Sequence, residues 1–338
     1  MCGIFGLLNY TGFELTKKLV HESFQKGMTR GPEVSILKTV MIKTLFGFHR
    51  LAINGLNEES HQPIIIDDVA LICNGEIYNY NELRQHLIDG SYQNSEDQDE
   101  FSMTTESDCE IIIHLYIRYG IEATLNMLDG EFAFALMDAR IENGEAKLFV
   151  ARDPYGVRPL FLMHPKSGMT KGNNMLGFAS EQKMLIDLKN NLNFAHENND
   201  ENKYIIKPYI PGNYSHYTLP FKAITEWEFK CTVTYNTMVY ASDFTRIVSL
   251  QHDYSQVIRE YMLDAVRKRV ENAERPIACL LSGGLDSSLV TSLVNEIHKQ
   301  KFGKPVETFS IGLEGSNDLH YTRIAADYLE TKHTQIII

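Results

Sequence analysis

No CxxC pair occurs in this sequence. Its five cysteines, Cys2, Cys73, Cys109, Cys231 and Cys279, are scattered over 338 residues. That spacing argues against a zinc ribbon or a disulfide framework and fits a reducing cytosol. Positive charge is also scarce: 32 Lys and Arg stand against 44 Asp and Glu, for a net charge of −12. A nucleic-acid binder carries a basic face, so no nucleic-acid partner is expected. Apolar runs such as IACLL and FAFALM are too short to span a bilayer. The N-terminus lacks a basic region followed by a long apolar stretch. Neither a membrane partner nor a secretory signal is expected, and cytoplasmic localisation follows. No GxxxxGK(S/T) loop and no internal repeat is present.

What is present divides into two patterns. The first half alternates short β-rich runs (CGIFGLLNY, TLFGFHRLAI, VALICNGEIY, FAFALMDA, AKLFVARD, MLGFASE) with helical stripes in LTKKLVHESFQKGMTRG and SDCEIIIHLYIRYG. Strand blocks separated by helices predict an α+β layered sandwich. Two polar stretches, 89–105 and 190–203, read as surface loops. After about Asp253 the pattern becomes helix, buried strand PIACLL, helix, strand VETFSIGL, helix and strand HTQIII. Such alternation predicts a parallel doubly wound sheet.

CLLSGGLDSSLV (279–290) runs from a buried strand through Ser282-Gly283-Gly284 into a helix starting near Leu285. Glycines allow a tight turn and close backbone approach, and the helix N-terminus adds partial positive charge. Together they suit phosphate. Ser282, Ser287 and Ser288 can donate further hydrogen bonds, and Asp286 could help hold Mg²⁺. This stretch resembles the pyrophosphate loop of the ATP pyrophosphatase family. The resemblance implies ATP binding by Ser282, Gly283, Gly284, Asp286 and Ser287, with backbone near Leu281 and Ile311 on the adenosine.

Cys2 becomes the first residue if Met1 is removed. It would then carry both a thiol and an α-amine whose ordinary pKa, about 8, suits a base near neutrality. GFHRLAING (47–55), CNGEIYN (73–79), ESDCEII (106–112), LDGEFAFALMD (128–138) and ARDPYGVRPLF (151–161) follow in order, with TRGPE (29–33) ahead of them, HQP (61–63) among them and ASEQK (179–183) after them. Over most of residues 2–205 these motifs resemble the class II glutamine amidotransferases, which are N-terminal nucleophile hydrolases. With SGGLDSS behind them, the order resembles that of the glutamine-dependent asparagine synthetases, in their eukaryotic form.

The resemblance implies an α+β N-terminal nucleophile hydrolase sandwich (αββα) over 2–205, a linker region over 206–252, and an incomplete α/β doubly wound ATP pyrophosphatase domain over 253–338. It implies Cys2 as nucleophile and the Asn74 side chain and Gly75 N–H as oxyanion donors. Arg50 would meet glutamine's α-carboxylate, Glu76 and Asp108 its α-ammonium, and Leu51, Ala52, Ile53 and Asn54 would add backbone contacts. Each residue alone has a plainer reading. Arg50 could be a surface ion pair, Asp108 a helix N-cap, and Asn74-Gly75 a hairpin turn.

The expected substrates are glutamine, aspartate and ATP, with Mg²⁺. The expected reaction converts aspartate to asparagine with ammonia released at Cys2. Alternatives are a free-standing glutaminase, a glutamine-binding or ammonia-donating subunit, and a β-lactam synthetase. Asn54-Gly55 stands where that family often has Val-Asp. Synthetases of this kind continue beyond HTQIII with an SGEGxDE-type loop and a catalytic lysine. A fragment, a split gene product or a truncated form is therefore expected, as a homodimer or with a separate chain supplying the C-terminal half.

Overall fold

The structure is a computed structural model that describes residues 2–91, 102–142, 144–168, 174–195, 203–221, 226–237 and 254–338. The chain divides into two compact units, Met1–Val239 and Tyr240–Ile338.

Among the described residues, the first unit has twelve strands in two six-stranded sheets. They are β1 (Gly3–Leu8), β2 (Val34–Met41), β3 (Thr44–Arg50), β4 (Ile64–Ile66), β5 (Val69–Ile77), β6 (Gly130–Glu142), β7 (Glu145–Arg152), β8 (Phe161–Pro165), β9 (Leu176–Ala179), β10 (Tyr204–Pro208), β11 (Asn213–Pro220) and β12 (Glu228–Thr234). One sheet runs β10-β8-β9-β1-β3-β2 and the other β12-β11-β7-β6-β5-β4. Every strand pairing in both sheets is antiparallel.

Side-chain alternation along the strands builds three cores. Ile4, Phe46, Phe48 and Phe178 of one sheet meet Ile72, Ala133, Leu148 and Val150 of the other in the central core. On the opposite face of the first sheet, Phe5, Leu7 and Leu45 pack on α1 (Lys17–Gln25) and α4 (Lys183–Ala195) through Val20, Phe24, Leu185 and Leu188. On the far side of the second sheet, Leu71, Phe132 and Phe134 pack on α2 (Tyr80–Ser91) and α3 (Ile111–Met127) through Leu83, Leu87, Ile112 and Leu115. The result is a four-layer αββα sandwich. Gly6 is required at the centre of β1, because a Cβ there would lie 2.1 Å from the Phe178 ring.

The structure departs from the linker expected at 206–252. Strands β10, β11 and β12 complete the two sheets of the first unit. The prolines that suggested a linker sit where sheets tolerate them: Pro208 and Pro220 end their strands and Pro211 lies in a turn. Trp227 anchors the segment, its indole N–H donating to Thr44 Oγ1 at 2.6 Å and its backbone N–H to Asn9 Oδ1 at 2.8 Å. The expected loops 89–105 and 190–203 begin inside α2 and α4; residues 92–101 and 196–202 lie outside the described residues, as do 222–225 and 238–253.

The second unit holds α5 (Tyr254–Asn272), β13 (Ala278–Leu280), α6 (Leu285–Phe302), β14 (Glu307–Gly312), α7 (Asn317–Leu329) and β15 (Lys332–Ile337). Its three strands are parallel in the order β13-β14-β15. Val266 and Val270 of α5 meet Leu293 and Ile297 of α6 in its core. Among the described residues, no helix is long and apolar enough to cross a membrane.

Leu148 is fully buried between the two sheets. Truncation to Ala leaves a cavity that rigid sheets cannot close, with an expected loss of about 2–5 kcal/mol. Urea unfolding of Leu148→Ala beside the wild type measures it; a loss under 1 kcal/mol would mean that the layers are loosely packed.

Candidate active site

The pocket at one end of the sandwich is assembled from loops and strand ends of both sheets. Cys2 directly precedes β1, and Gly3 pairs with His49 at the end of β3. The β3 end continues into Arg50–Asn54. Across the central core, β5 contributes Asn74, Gly75 and Glu76, and a 3₁₀ turn (Asp108–Glu110) contributes Asp108. Cys2, Arg50, Leu51, Ala52, Ile53, Asn54, Asn74, Gly75, Glu76 and Asp108 therefore line one pocket, although the sequence spreads them over more than a hundred positions.

The half-buried Cys2 Sγ lies 3.4 Å from both Leu51 O, to which it donates, and Leu51 N, from which it accepts. Arg30 Nε donates to Cys2 O at 2.8 Å and fixes the backbone at the start of β1. Burial pushes the thiol above its ordinary pKa. The Leu51 bond, the N-terminal charge and the Arg158 charge oppose that shift without cancelling it. The resting thiol therefore keeps its proton at neutral pH and needs a base to become a nucleophile.

Asn74 is 1% exposed, yet its Nδ2 donor has no hydrogen-bond partner. A buried amide donor without a partner is costly, and this residue lines the pocket. Asn74 and Gly75 pair with Ala133 and Phe132 inside β5, which excludes the hairpin-turn reading. A Cβ on Gly75 would sit 2.6 Å from Glu131 O, so only glycine fits this close approach of two backbones.

Arg50 is 5% exposed, which excludes a surface ion pair. Its Nη1 donates to Asn57 O at 2.8 Å and its Nη2 to Gly55 O, so it also clamps the loop that follows it. Gly55, at φ +59°, turns this loop. Ala52 N is held by Glu33 Oε2 at 3.0 Å.

Asp108 does not cap a helix; the cap is Ser107, whose side chain accepts from Cys109 N at 3.3 Å. Asp108 Oδ2 instead accepts from Ile77 N at 2.6 Å. Burial, reinforced by the Glu76 charge and partly offset by the Ile77 N–H, pushes its carboxyl up to about 7. The pocket thus holds a carboxyl poised near neutrality.

Arg158 also lines the pocket. Its motif, ARDPYGVRPLF, by itself assigns Arg158 no role. It bridges Glu76 at 3.1 Å and Glu131 at 3.4 Å, and its Nε is buried without a partner. Asp153 forms the surrounding turn by accepting from Tyr155 N, Val157 N and Arg158 N at 3.0, 3.0 and 3.1 Å. An arginine in a turn closed by an aspartate five residues earlier was the available signal. Its partner Glu76 lies 82 positions away, so spacing alone could not connect them.

In the second unit, Ser282-Gly283-Gly284 links β13 to α6 at the carboxyl ends of the parallel strands, where open α/β sheets bind ligands. Gly283 has φ +76°, and a Cβ there would lie 2.5 Å from Thr322 N of α7. Gly284 is the N-cap of α6 and supplies no side chain to its first turn. Ser282 Oγ and Ser287 Oγ are 2.9 Å apart beside it. Leu280 at the end of β13 pairs with Phe309; two residues beyond lie Ser282, past the strand end, and Ile311 of β14, 64% exposed. Leu281 is buried and Asp286 is exposed in the first turn of α6. Among the described residues no three His, Cys, Asp or Glu side chains group as a metal site.

The first unit is thus a four-layer αββα sandwich with a polar, thiol-containing pocket. The chain belongs to the glutamine amidotransferase domain family, whose model matches residues 1–267, and the asparagine synthase model matches residues 257–338. Glutamine-hydrolysing asparagine synthetase from Gallus gallus is 36% identical over 349 aligned residues and the Homo sapiens enzyme 34% over 363. All of this chain is covered in both, and 56% of each relative. The chain thus spans about half the length of the curated relatives it matches. Among solved structures, glutamine phosphoribosylpyrophosphate amidotransferase from B. subtilis aligns over 96% of this chain and 79% of its own, at 16% identity and a TM-score of 0.48.

A carboxyl whose folded pKa is about 7, against about 4 unfolded, favours the native state below the unfolded value. That contribution is lost as pH rises through 7. The wild type's melting temperature should therefore fall between about pH 4 and 8 relative to that of Asp108→Asn, which has no proton to lose. Parallel pH curves for the two proteins would contradict the assignment.

Proposed function

We propose that the first unit hydrolyses the side-chain amide of glutamine at Cys2 and that the ammonia serves an ATP-dependent conversion of aspartate to asparagine. The observation that carries the reading is the partnerless Asn74 amide in the pocket that also holds the Cys2 thiol.

With Met1 removed, the Cys2 α-amine takes the thiol proton as sulfur attacks the amide carbon. The developing oxyanion receives hydrogen bonds from Asn74 Nδ2 and the Gly75 N–H, a contribution of about 3–4 kcal/mol for one such donor. Collapse of the intermediate returns the proton to the leaving nitrogen and frees ammonia. Water then cleaves the thioester to glutamate, with the α-amine again as base. Arg50 receives the α-carboxylate as a planar, two-pronged cation. Asp108 and Glu76 receive the α-ammonium, and Arg158 holds Glu76 in place. Leu51, Ala52, Ile53 and Asn54 shape the wall. A sandwich of this architecture supports assignment to the N-terminal nucleophile hydrolases.

For the second unit we propose an ATP pyrophosphatase-type site. The side-chain-free N-terminus of α6, the serine pair and the left-handed Gly283 fit a pyrophosphate group. Leu281 and Ile311 would flank the adenosine. Asp286 fits Mg²⁺ as a single carboxylate completed by phosphates, the usual arrangement for this ion. Bound there, Mg²⁺ would neutralise phosphate charge. Aspartate's β-carboxylate attacks the α-phosphorus, pyrophosphate leaves, and ammonia displaces AMP from the acyl-adenylate. The five free thiols, Cys2, Cys73, Cys109, Cys231 and Cys279, support a reducing cytoplasmic setting.

Asn74→Ala should lower kcat for glutamine hydrolysis about 10²–10³-fold with little change in KM, since the donor acts mainly on the transition state. A diazoketone analogue of glutamine should alkylate Cys2 in both proteins. Unchanged kcat in Asn74→Ala, or alkylation elsewhere, would defeat the reading.

A further inference from the structure

Glu76 has a second acidic neighbour that the amide chemistry proposed above does not use. In the register of β5 and β6, Glu76 stands directly opposite Glu131. Side chains directly opposite on adjacent strands share one face of the sheet, and like charges there repel. Arg158 answers both charges. Its Nη2 donates to Glu76 Oε1 at 3.1 Å and to Glu131 Oε1 at 3.4 Å. The side chains of Arg158, Glu76 and Glu131 are only 6%, 13% and 14% exposed, so solvent screens these charges weakly. The Tyr78 hydroxyl also donates to Glu131 Oε1 and anchors that carboxylate. Arg158 Nε stays buried without a partner, so the guanidinium sits where the two carboxylates put it rather than where all its donors are met. An ion pair serving stability alone would need one carboxylate, not two that repel.

We propose that Arg158 and Glu131 are positioning residues for the substrate's α-ammonium. Arg158 holds Glu76 as a charged acceptor in the pocket, and Glu131, anchored by Tyr78, sets where the guanidinium sits. The substrate rests on the glutaminase reading proposed above; the charge arrangement does not. Glu76 meets Arg158 from the turn after β7 and Glu131 from β6. Asp108 of the 3₁₀ turn, Arg50 and the thiols of Cys2, Cys73 and Cys109 are the other charged or titratable groups lining the pocket.

The opposed pair gives the arginine a specific consequence. Without Arg158, two carboxylates on one face of the sheet would share a proton, as closely spaced carboxylates do. Glu76 would then be neutral part of the time, and a neutral carboxyl is a poorer acceptor for an ammonium group. Removing Glu131 as well ends the competition for that proton, and Glu76 regains its charge. The second loss repairs the first, a coupling of the kind that separates interacting residues from independent ones. If the three residues served only to hold the sheet together, losing two of them would be worse than losing one.

The test measures glutamine hydrolysis by the full chain, by Arg158→Gln and by the double variant Arg158→Gln with Glu131→Gln. Arg158→Gln should raise KM about 10–100-fold, the scale of one hydrogen bond to a charged group, with a smaller change in kcat. The double variant should recover most of that loss. In protein carrying ¹³C at its glutamate side-chain carboxyls, magnetic resonance at neutral pH should count one more protonated glutamate in Arg158→Gln than in the wild type or the double variant. Arg158→Lys keeps the charge without the two-pronged geometry. It should fall between wild type and Arg158→Gln, and with and without Glu131→Gln it gives the same comparison if Arg158→Gln does not fold. A fall in kcat at unchanged KM would overturn the proposal, as would a double variant no better than Arg158→Gln or an unchanged count of protonated glutamates. A wild type that leaves glutamine intact would defeat the glutaminase reading, and the carboxyl count would then decide the charge arrangement by itself.

Discussion

Strand β1 is buried on both faces, and that constraint fixes Cys2. Ile4 and Leu8 enter the core between the sheets, while Phe5 and Leu7 enter the core beneath α1 and α4. A central strand packed on both sides cannot fray. The β3 register, the Ser180 hydroxyl on Ile4 N at 2.9 Å and the Arg30 bond to Cys2 O hold it further. A chain end is ordinarily its least ordered part. Here the thiol is held at the mouth of the sandwich, opposite β5.

The polar pocket depends on that placement. Strand β5 brings Asn74 to the thiol as an amide donor without a partner, and burial keeps the Asp108 carboxyl up near 7. Both features cost stability. On the proposed function, each would be relieved by a ligand that carries an acceptor at one end and an ammonium at the other. Glutamine has both, the amide oxygen and the α-ammonium. Arg50 and Arg158 balance the buried charge and hold the Gly55 loop and Glu76.

Much of this was legible in the sequence because the signals are local. Strand β1, the CNGEIYN strand and the SGG turn into α6 each combine backbone preference with an apolar pattern. Strands β10 to β12 were not legible. They are short, partly polar and bounded by prolines, so they resemble a linker until Trp227 is seen buried against Asn9 and Thr44. Helix α2 has few apolar residues and declares itself only through Leu83 and Leu87. Asn-Gly signals a hairpin in isolation, but tertiary pairing with Ala133 and Phe132 overrides that preference. The Arg158–Glu76 pair is a long-range contact that no spacing rule encodes.

The central claim is that the thiol pocket releases ammonia from glutamine for transfer to aspartate. Glutamine carrying ¹⁵N in its side-chain amide, incubated with the protein, ATP, Mg²⁺ and aspartate, tests it directly. The account predicts ¹⁵N leaving glutamine, as ammonia or in asparagine, and no release by Cys2→Ala. Label that stays in glutamine with the wild-type protein, or equal release by Cys2→Ala, would contradict it.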